Sequence, residues 1–245
     1  MYTKMQFISW NVLHIYHEIK YCNNMSPVLD MYRNKEKDRL NEICKTLQKY
    51  YDDTIICLQE VPGDLYELLK QQFKDHNIYQ HKYPRVPTSN DKIYTHEYEC
   101  LVTIIPKSVI AQSTKFIQSK FDNGKGAIVI ITDKYSIVNT HVPFDETNRK
   151  SLLQDIYSNI SDKYIMVGDM NTSKNKLEED IVTLTKIFIV QDNIENTRKG
   201  MNGKREIIYS KIDHVITSND INGKTFVEDT GDLSDHFIIG FDMGQ

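Results

Sequence analysis

The chain has 245 residues, 40% apolar and 26% charged, with a formal net charge of -4. Such a balance supports a substantial core and excludes fibrous, low-complexity and disordered classes. The acidic excess argues against holding nucleic acid by bulk electrostatics, but not against local contact with a polyanion.

In chain order, Gln6 to Val12 reads as a short strand ending at Asn11. After a long polar connection, Lys35 to Tyr50 places Leu40, Ile43, Cys44 and Leu47 on one helical face. A strand follows at Thr54 to Gln59. Pro62 and Gly63 break the chain before a helix from Asp64 to Phe73 with Leu65, Leu68 and Leu69 buried. Residues 78–97 are rich in Tyr, His and Pro and read as loop with at most an edge strand. Cys100 to Ile105, Ala127 to Thr132 and Tyr135 to Thr140 are β-branched strands, the last two a hairpin through Asp133-Lys134. Pro143 stops that run, and Asp145 or Thr147 can cap a helix through Ile160. Tyr164 to Val167 reads as a buried strand and Leu177 to Lys186 as a helix. Strands at Ile187 to Val190, Ile207 to Tyr209, Ile212 to Thr217 and Phe237 to Phe241 complete the pattern. Hairpins mixed with long crossovers predict an α/β fold of two packed sheets with helices outside.

No linker or repeat divides the chain, so one domain over residues 1–245 is expected. No run is apolar and long enough to span a bilayer, and residues 1–5 lack a secretory segment. An intracellular, cytoplasmic protein with no membrane partner and no obligate protein partner is the expectation. Cys22, Cys44, Cys57 and Cys100 are scattered without paired spacing for zinc, and reduced thiols are expected.

Six polar motifs stand at strand ends: Ser9-Trp10-Asn11-Val12, Leu58-Gln59-Glu60-Val61, Asn139-Thr140-His141-Val142, Gly168-Asp169-Met170-Asn171, Ile212-Asp213-His214-Val215 and Ser234-Asp235-His236. Singly, each has a plain alternative: a solvated Glu, an Asp-x-Asn turn, a satisfied core imidazole. A core that only had to pack would not supply six. Together they provide what phosphodiester hydrolysis needs: carboxylates for a hard cation, a group to activate water, and donors for charge on the transferred phosphoryl.

The order Asn, Glu, His, Asp-x-Asn, Asp-His, Asp-His resembles that of the endonuclease/exonuclease/phosphatase superfamily, metal-dependent phosphoesterases with the pancreatic DNase fold. The resemblance implies a four-layer α/β sandwich with the site along one rim of the paired sheets. It makes Glu60 the direct Mg2+ ligand, with Mn2+ as a substitute, and places Asn11 and Asp235 beside that metal. Asp169 would orient or deprotonate the attacking water, and Asn171 would donate to a phosphate oxygen. His141 would stabilise the phosphoryl oxygens. His236 would contact the scissile phosphate, its far nitrogen held by Asp213; His214 inherits no role. Thr140-His141 and Asn11-Val12-Leu13 look most like the deadenylase, 2'-phosphodiesterase and tyrosyl-DNA phosphodiesterase branch and unlike abasic-site endonucleases, which carry Asn-x-Asp at the first motif. Met170 stands where an aromatic residue is more usual.

A basic cluster, Arg198, Lys199, Lys204 and Arg205, directly precedes the Asp213 motif and is expected to contact substrate, against the alternative of a solvated loop. The leading expectation is a Mg2+-dependent phosphodiesterase acting on RNA or another nucleotide-containing substrate. The alternatives are a 5'-tyrosyl-nucleic acid phosphodiesterase, an inositol or lipid phosphatase, and an inactive binding module of the same fold.

Overall fold

The computed structural model describes residues 5–21, 26–90, 92–182, 184, 186, 188–192, 195–202, 204 and 206–244. Strand β1 (Gln6–Asn11) leads through α1 (Ile15–Tyr21), α2 (Pro27–Tyr32) and α3 (Glu36–Gln48) to β2 (Thr54–Pro62), α4 (Gly63–Gln72), β3 (His76–Lys82) and β4 (Glu99–Pro106). The chain continues through β5 (Ala111–Gln118), β6 (Gly126–Thr132), β7 (Ser136–His141), α5 (Glu146–Tyr157), β8 (Tyr164–Asp169) and α6 (Lys174–Ile181). Strands β9 (Ile189–Val190), β10 (Arg198–Met201), β11 (Ile207–Ser210), β12 (Asp213–Thr217), β13 (Gly223–Glu228) and β14 (Ile238–Met243) follow.

The strands form two six-stranded mixed sheets, ordered β13-β14-β1-β2-β4-β3 and β5-β6-β7-β8-β12-β9, with β10-β11 as a separate pair. Successive strand residues face opposite sides, so each sheet feeds two cores. Phe7, Ile55 and Cys57 of the first sheet meet Ile128, Ile137 and Ile165 of the second between the sheets. Their neighbours Ile8, Ile56 and Leu58 turn outward onto Ile43 and Leu47 of α3 and Leu65 and Leu69 of α4. Val129, Val138 and Met166 do the same beneath α5 and α6, against Leu152, Ile156 and Leu177. Three apolar layers between four structural layers give the expected α/β sandwich.

Several elements depart from the expected ones. The connection after β1 holds α1 and α2; Ser26 Oγ caps α2 by accepting from Leu29 N at 3.1 Å, with Pro27 in its first turn. Strands β3, β5 and β13 lie at sheet edges, where solvent-facing residues erase the apolar alternation that would reveal them. Arg198–Met201 and Ile207–Ser210, of which only Ile207 to Tyr209 is expected as a strand, pair with each other as β10 and β11. Helix α6 starts at Lys174 and ends at Ile181 instead of covering Leu177 to Lys186. Its last turn is fixed by Asp180, which accepts from the buried Arg149 Nε at 2.6 Å. Ile187, expected to open β9, lies outside the described residues, as does Cys22; Cys44, Cys57 and Cys100 are buried free thiols. Among the described residues no helix is long and apolar enough to cross a membrane.

Candidate active site

The strand pairing sets the polar motifs side by side. In parallel register His141 on β7 partners Asp169 on β8, and in antiparallel register Asp213 on β12 partners Asp169 from the other flank. Gly168 makes this approach possible: a Cβ there would stand 1.8 Å from the Thr140 carbonyl oxygen, and its φ of +153° suits glycine.

The first sheet contributes Glu60 through a bulge. Between Leu58 and Val61, β2 takes three steps while β4 takes two, from Val102 to Cys100. Glu60 adopts φ +53° there, and Leu13 (φ +61°) and Asn171 (φ +49°) are also left-handed. Three such non-glycine residues around one cleft mark backbone held in place by its surroundings. The turn before β14 is tied to β1: Ser234 Oγ donates to Asn11 O at 2.6 Å, and Trp10 Nε1 donates to His236 O at 3.0 Å.

These ends enclose a cleft of about 390 Å³ lined in part by Glu60, Lys125, His141, Asp169, Asp235 and His236. A cavity of the same volume lined by Lys134, Lys163 and Asp220 gathers none of the motifs. Asp169 is at the centre. Its Oδ2 lies 3.2 Å from His141 Nε2 and 3.8 Å from His236 Nε2, and it accepts from Asn11 Nδ2 at 3.1 Å. Its Oδ1 accepts from Asn171 N at 2.9 Å. Burial pushes the Asp169 pKa up, but the charges of His236 and His141 outweigh it and hold the carboxyl well below the usual range.

His236 Nδ1 meets the two oxygens of Asp213 at 3.1 and 2.9 Å, leaving Nε2 toward the cleft. Thr197 Oγ1 donates to Asp213 Oδ2 at 2.6 Å and orients that carboxylate. Burial would lower the His236 pKa, yet Asp213, Asp235 and Asp169 prevail and raise it to about 10. The imidazolium is therefore the neutral-pH form, a donor.

Some expected residues sit differently from their assigned places. Asn11 donates to Asp169 and its Oδ1 accepts from Leu13 N at 3.0 Å, so its immediate contact is the Asp169 carboxylate rather than Glu60. One Asn171 amide hydrogen goes to Val142 O at 3.0 Å, which leaves the second for the cleft. Arg198 lines the cleft, its Nε 2.8 Å from Asp235 Oδ2. Lys199 is a correction to the substrate-contact cluster. It is buried, donates to Gly231 O and Asp232 Oδ1, and its ammonium serves the fold. Lys204 is exposed, outside the cleft-lining set; Arg205 lies outside the described residues.

Lys125 and His17 belong to none of the six motifs. Lys125 Nζ lies against the His141 ring nitrogens. His17 Nε2 stands 2.7 Å from the buried Glu99 and 3.9 Å from Glu60. His214, given no role, is buried; its Nε2 lies 2.8 Å from Thr172 O, where a neutral ring donates, and burial lowers its pKa to about 4. It steadies the turn that carries Asn171.

The donor set fits a hard cation. Among the described residues the buried Asp235 Oδ1 has no hydrogen-bond partner, and the ion-pair contact of Glu60 Oε1 is His141 Nε2 at 3.8 Å. Two carboxylates on one cleft, one with an unpartnered oxygen among the described residues, suit Mg2+, which takes one or two carboxylates and keeps several waters. Atoms of Asp169, Asp213 and His236 also come within 4.8 Å of one another. There the Asp213 carboxylate is already occupied by His236 and Thr197, so Asp213 and His236 are a hydrogen-bonded pair, with Asp169 3.8 Å beyond His236 Nε2, and not an open coordination sphere.

No curated protein sequence matches the chain. Its fold is similar to TDP2 of D. rerio complexed with single-strand DNA product, with a TM-score of 0.70 and 14% identity over 99% of this chain and 100% of that one. It is also similar to the human Nocturnin catalytic domain (TM-score 0.66, 16% identity, 98% and 93% covered). ANGEL2, a 2',3'-cyclic phosphatase, is likewise similar (TM-score 0.69, 12% identity, 98% and 95% covered). The profile of the Endonuclease/Exonuclease/phosphatase family matches residues 8–236, spanning all six motifs. The chain belongs to that family of metal-dependent phosphoric ester hydrolases.

Proposed function

We propose that this protein is a Mg2+-dependent phosphodiesterase that hydrolyses a nucleic acid or nucleotide phosphodiester by single-step, in-line attack of water. The observation that carries the reading is the meeting in one cleft of Asp169, flanked by His141 and His236, with Glu60 and Asp235, whose Oδ1 has no partner among the described residues.

Glu60 and Asp235 would hold the cation, Mg2+ or Mn2+, which when bound neutralises phosphate charge and acts as a Lewis acid on a phosphoryl oxygen. Asp169 aligns the water, held by Asn11 and the Asn171 amide. The water oxygen forms the new P–O bond and its proton passes toward Asp169. The leaving oxygen departs on the opposite side with the electron pair of the broken bond and takes a proton from solvent. His236, charged and fixed by Asp213, and His141 donate to the non-bridging oxygens as negative charge builds there. Lys125 adds a positive charge beside His141.

A nucleotide-containing substrate is supported by TDP2 with its single-strand DNA product and ANGEL2 with adenosine-2',3'-vanadate. The test is hydrolysis of poly(A) RNA, 2'-5' oligoadenylate, single-stranded and duplex DNA, 5'-tyrosyl DNA and inositol phosphates, each with Mg2+ and with chelator. Metal-dependent cleavage of a nucleotide ester supports the proposal; turnover of inositol phosphates alone removes it.

A further inference from the structure

Phe144 is the most exposed large apolar side chain described, 81% accessible, and it lines the same cleft as Asp169 and His236. Its surroundings show that it is not a loose loop residue. The Phe144 carbonyl accepts from Arg149 Nη1 at 2.8 Å, and Arg149 is itself buried and bonded through Nε to Asp180 at 2.6 Å. On the next residue Asp145 caps α5 by accepting from Asn148 N at 3.0 Å. On the near side Val142 N donates to Asp169 O, and Val142 O accepts from Asn171 Nδ2, both at 3.0 Å. Pro143 fixes φ between these anchors. The short turn is thus tied at both ends, one to the water-aligning carboxylate's own backbone.

The core beneath α5 closes on Leu152, Leu153 and Ile156 and leaves this ring outside. A large ring kept in water on a fixed backbone, beside a site for phosphate, is shaped for a planar partner that arrives with that phosphate. The cleft cations Lys125 and His236 suit the phosphate rather than a base. Net charge is -4, Arg198 is engaged by Asp235, and Lys199 by Asp232. We infer that Phe144 is a stacking platform for the nucleobase of the nucleotide whose phosphate sits between His141 and His236, and so selects base-bearing esters. The inference rests on the phosphodiesterase reading above for its substrate and deepens it.

The test is calorimetric binding of adenosine 5'-monophosphate, ribose 5-phosphate and phosphotyrosine to the full chain with Mg2+, for the unsubstituted protein, Phe144→Ala and Phe144→Trp. The nucleotide should bind tighter than ribose 5-phosphate by roughly 5- to 150-fold, the range of one base stacked on one aromatic ring. Phe144→Ala should bring that ratio close to one, and Phe144→Trp should restore it. A ratio near one in the unsubstituted protein, a ratio that survives Phe144→Ala, or phosphotyrosine binding tighter than the nucleotide would overturn the inference. If the ratio behaves as expected while no phosphodiester is cleaved, the platform stands and the proposed reaction falls.

Discussion

Gln59 Nε2 donates to Asn139 Oδ1 at 2.8 Å across the interface of the two sheets. Both side chains are fully buried. Gln59 also donates to Ser9 Oγ at 3.0 Å, and Asn139 Nδ2 donates to Val102 O at 2.9 Å. Gln59 immediately precedes Glu60, and Asn139 lies two residues before His141 on β7. One amide pair inside an apolar core therefore sets the spacing between the half of the site carried by the first sheet and the half carried by the second.

Removing either partner should be costly for that reason. Asn139→Ala leaves the Gln59 amide without its cross-sheet acceptor and should destabilise by about 1–3 kcal/mol, the cost of an unsatisfied buried polar group. Gln59→Ala and Asn139→Ala should also couple by about 0.5–3 kcal/mol in a double-mutant cycle of urea unfolding. Simple additivity would show that the pair does not join the sheets.

Asp169→Asn and His236→Ala should each reduce turnover by at least about two orders of magnitude, the size of a lost acid-base group or transition-state donor. Circular dichroism should show the fold retained. A folded variant within a few-fold of the unsubstituted enzyme would remove that residue from the chemistry.

Activity should vanish in excess chelator and return with Mg2+ or Mn2+, because the proposed ligands Glu60 and Asp235 offer carboxylate oxygens. Glu60→Gln should raise the metal concentration for half-maximal activity at least about tenfold, or about 1.4 kcal/mol. Undiminished turnover in chelator would exclude the metal mechanism.

The basic cluster should separate by residue. Arg198→Ala, at the cleft, should raise KM for an oligonucleotide while turnover at saturation survives. Lys199→Ala should lower Tm, since its ammonium holds Gly231 O and Asp232. Lys204→Ala and Arg205→Ala should raise KM for an oligonucleotide and flatten its salt dependence, by about one unit of slope per lost phosphate contact. An unchanged slope in the last pair would identify those side chains as solvated.

His236 gives a pH signature in stability. Its pKa rises from the ordinary 6.5 to about 10 in the fold, as the nearby carboxylates outweigh its burial. The folded state binds its proton more tightly, so the contribution is complete below about pH 6.5 and is lost as pH rises through about 10. Urea unfolding between pH 6 and pH 10 should show stability falling, with a smaller fall in His236→Gln. Parallel curves would contradict the assigned ion pair with Asp213.

The sequence by itself determined the strands buried on both faces, such as Thr54 to Gln59 and Tyr164 to Val167, and the polar groups at their ends. Uninterrupted β-branched runs and their sudden change to Glu60 or Asp169 are local signals. Residue order alone was also enough for the family, because the motifs stand at fixed places along the chain. Tertiary structure decided what sequence period could not express. Edge strands such as β5 and β13 satisfy water on one side and lose their alternation. The bulge that turns Glu60 into the cleft, and the burial of Lys199 on Asp232, depend on which strand or loop lies opposite. Arg198 and Lys199 are adjacent in sequence, but neighbours on a strand point to opposite faces, so one reaches the cleft while the other is spent on the fold.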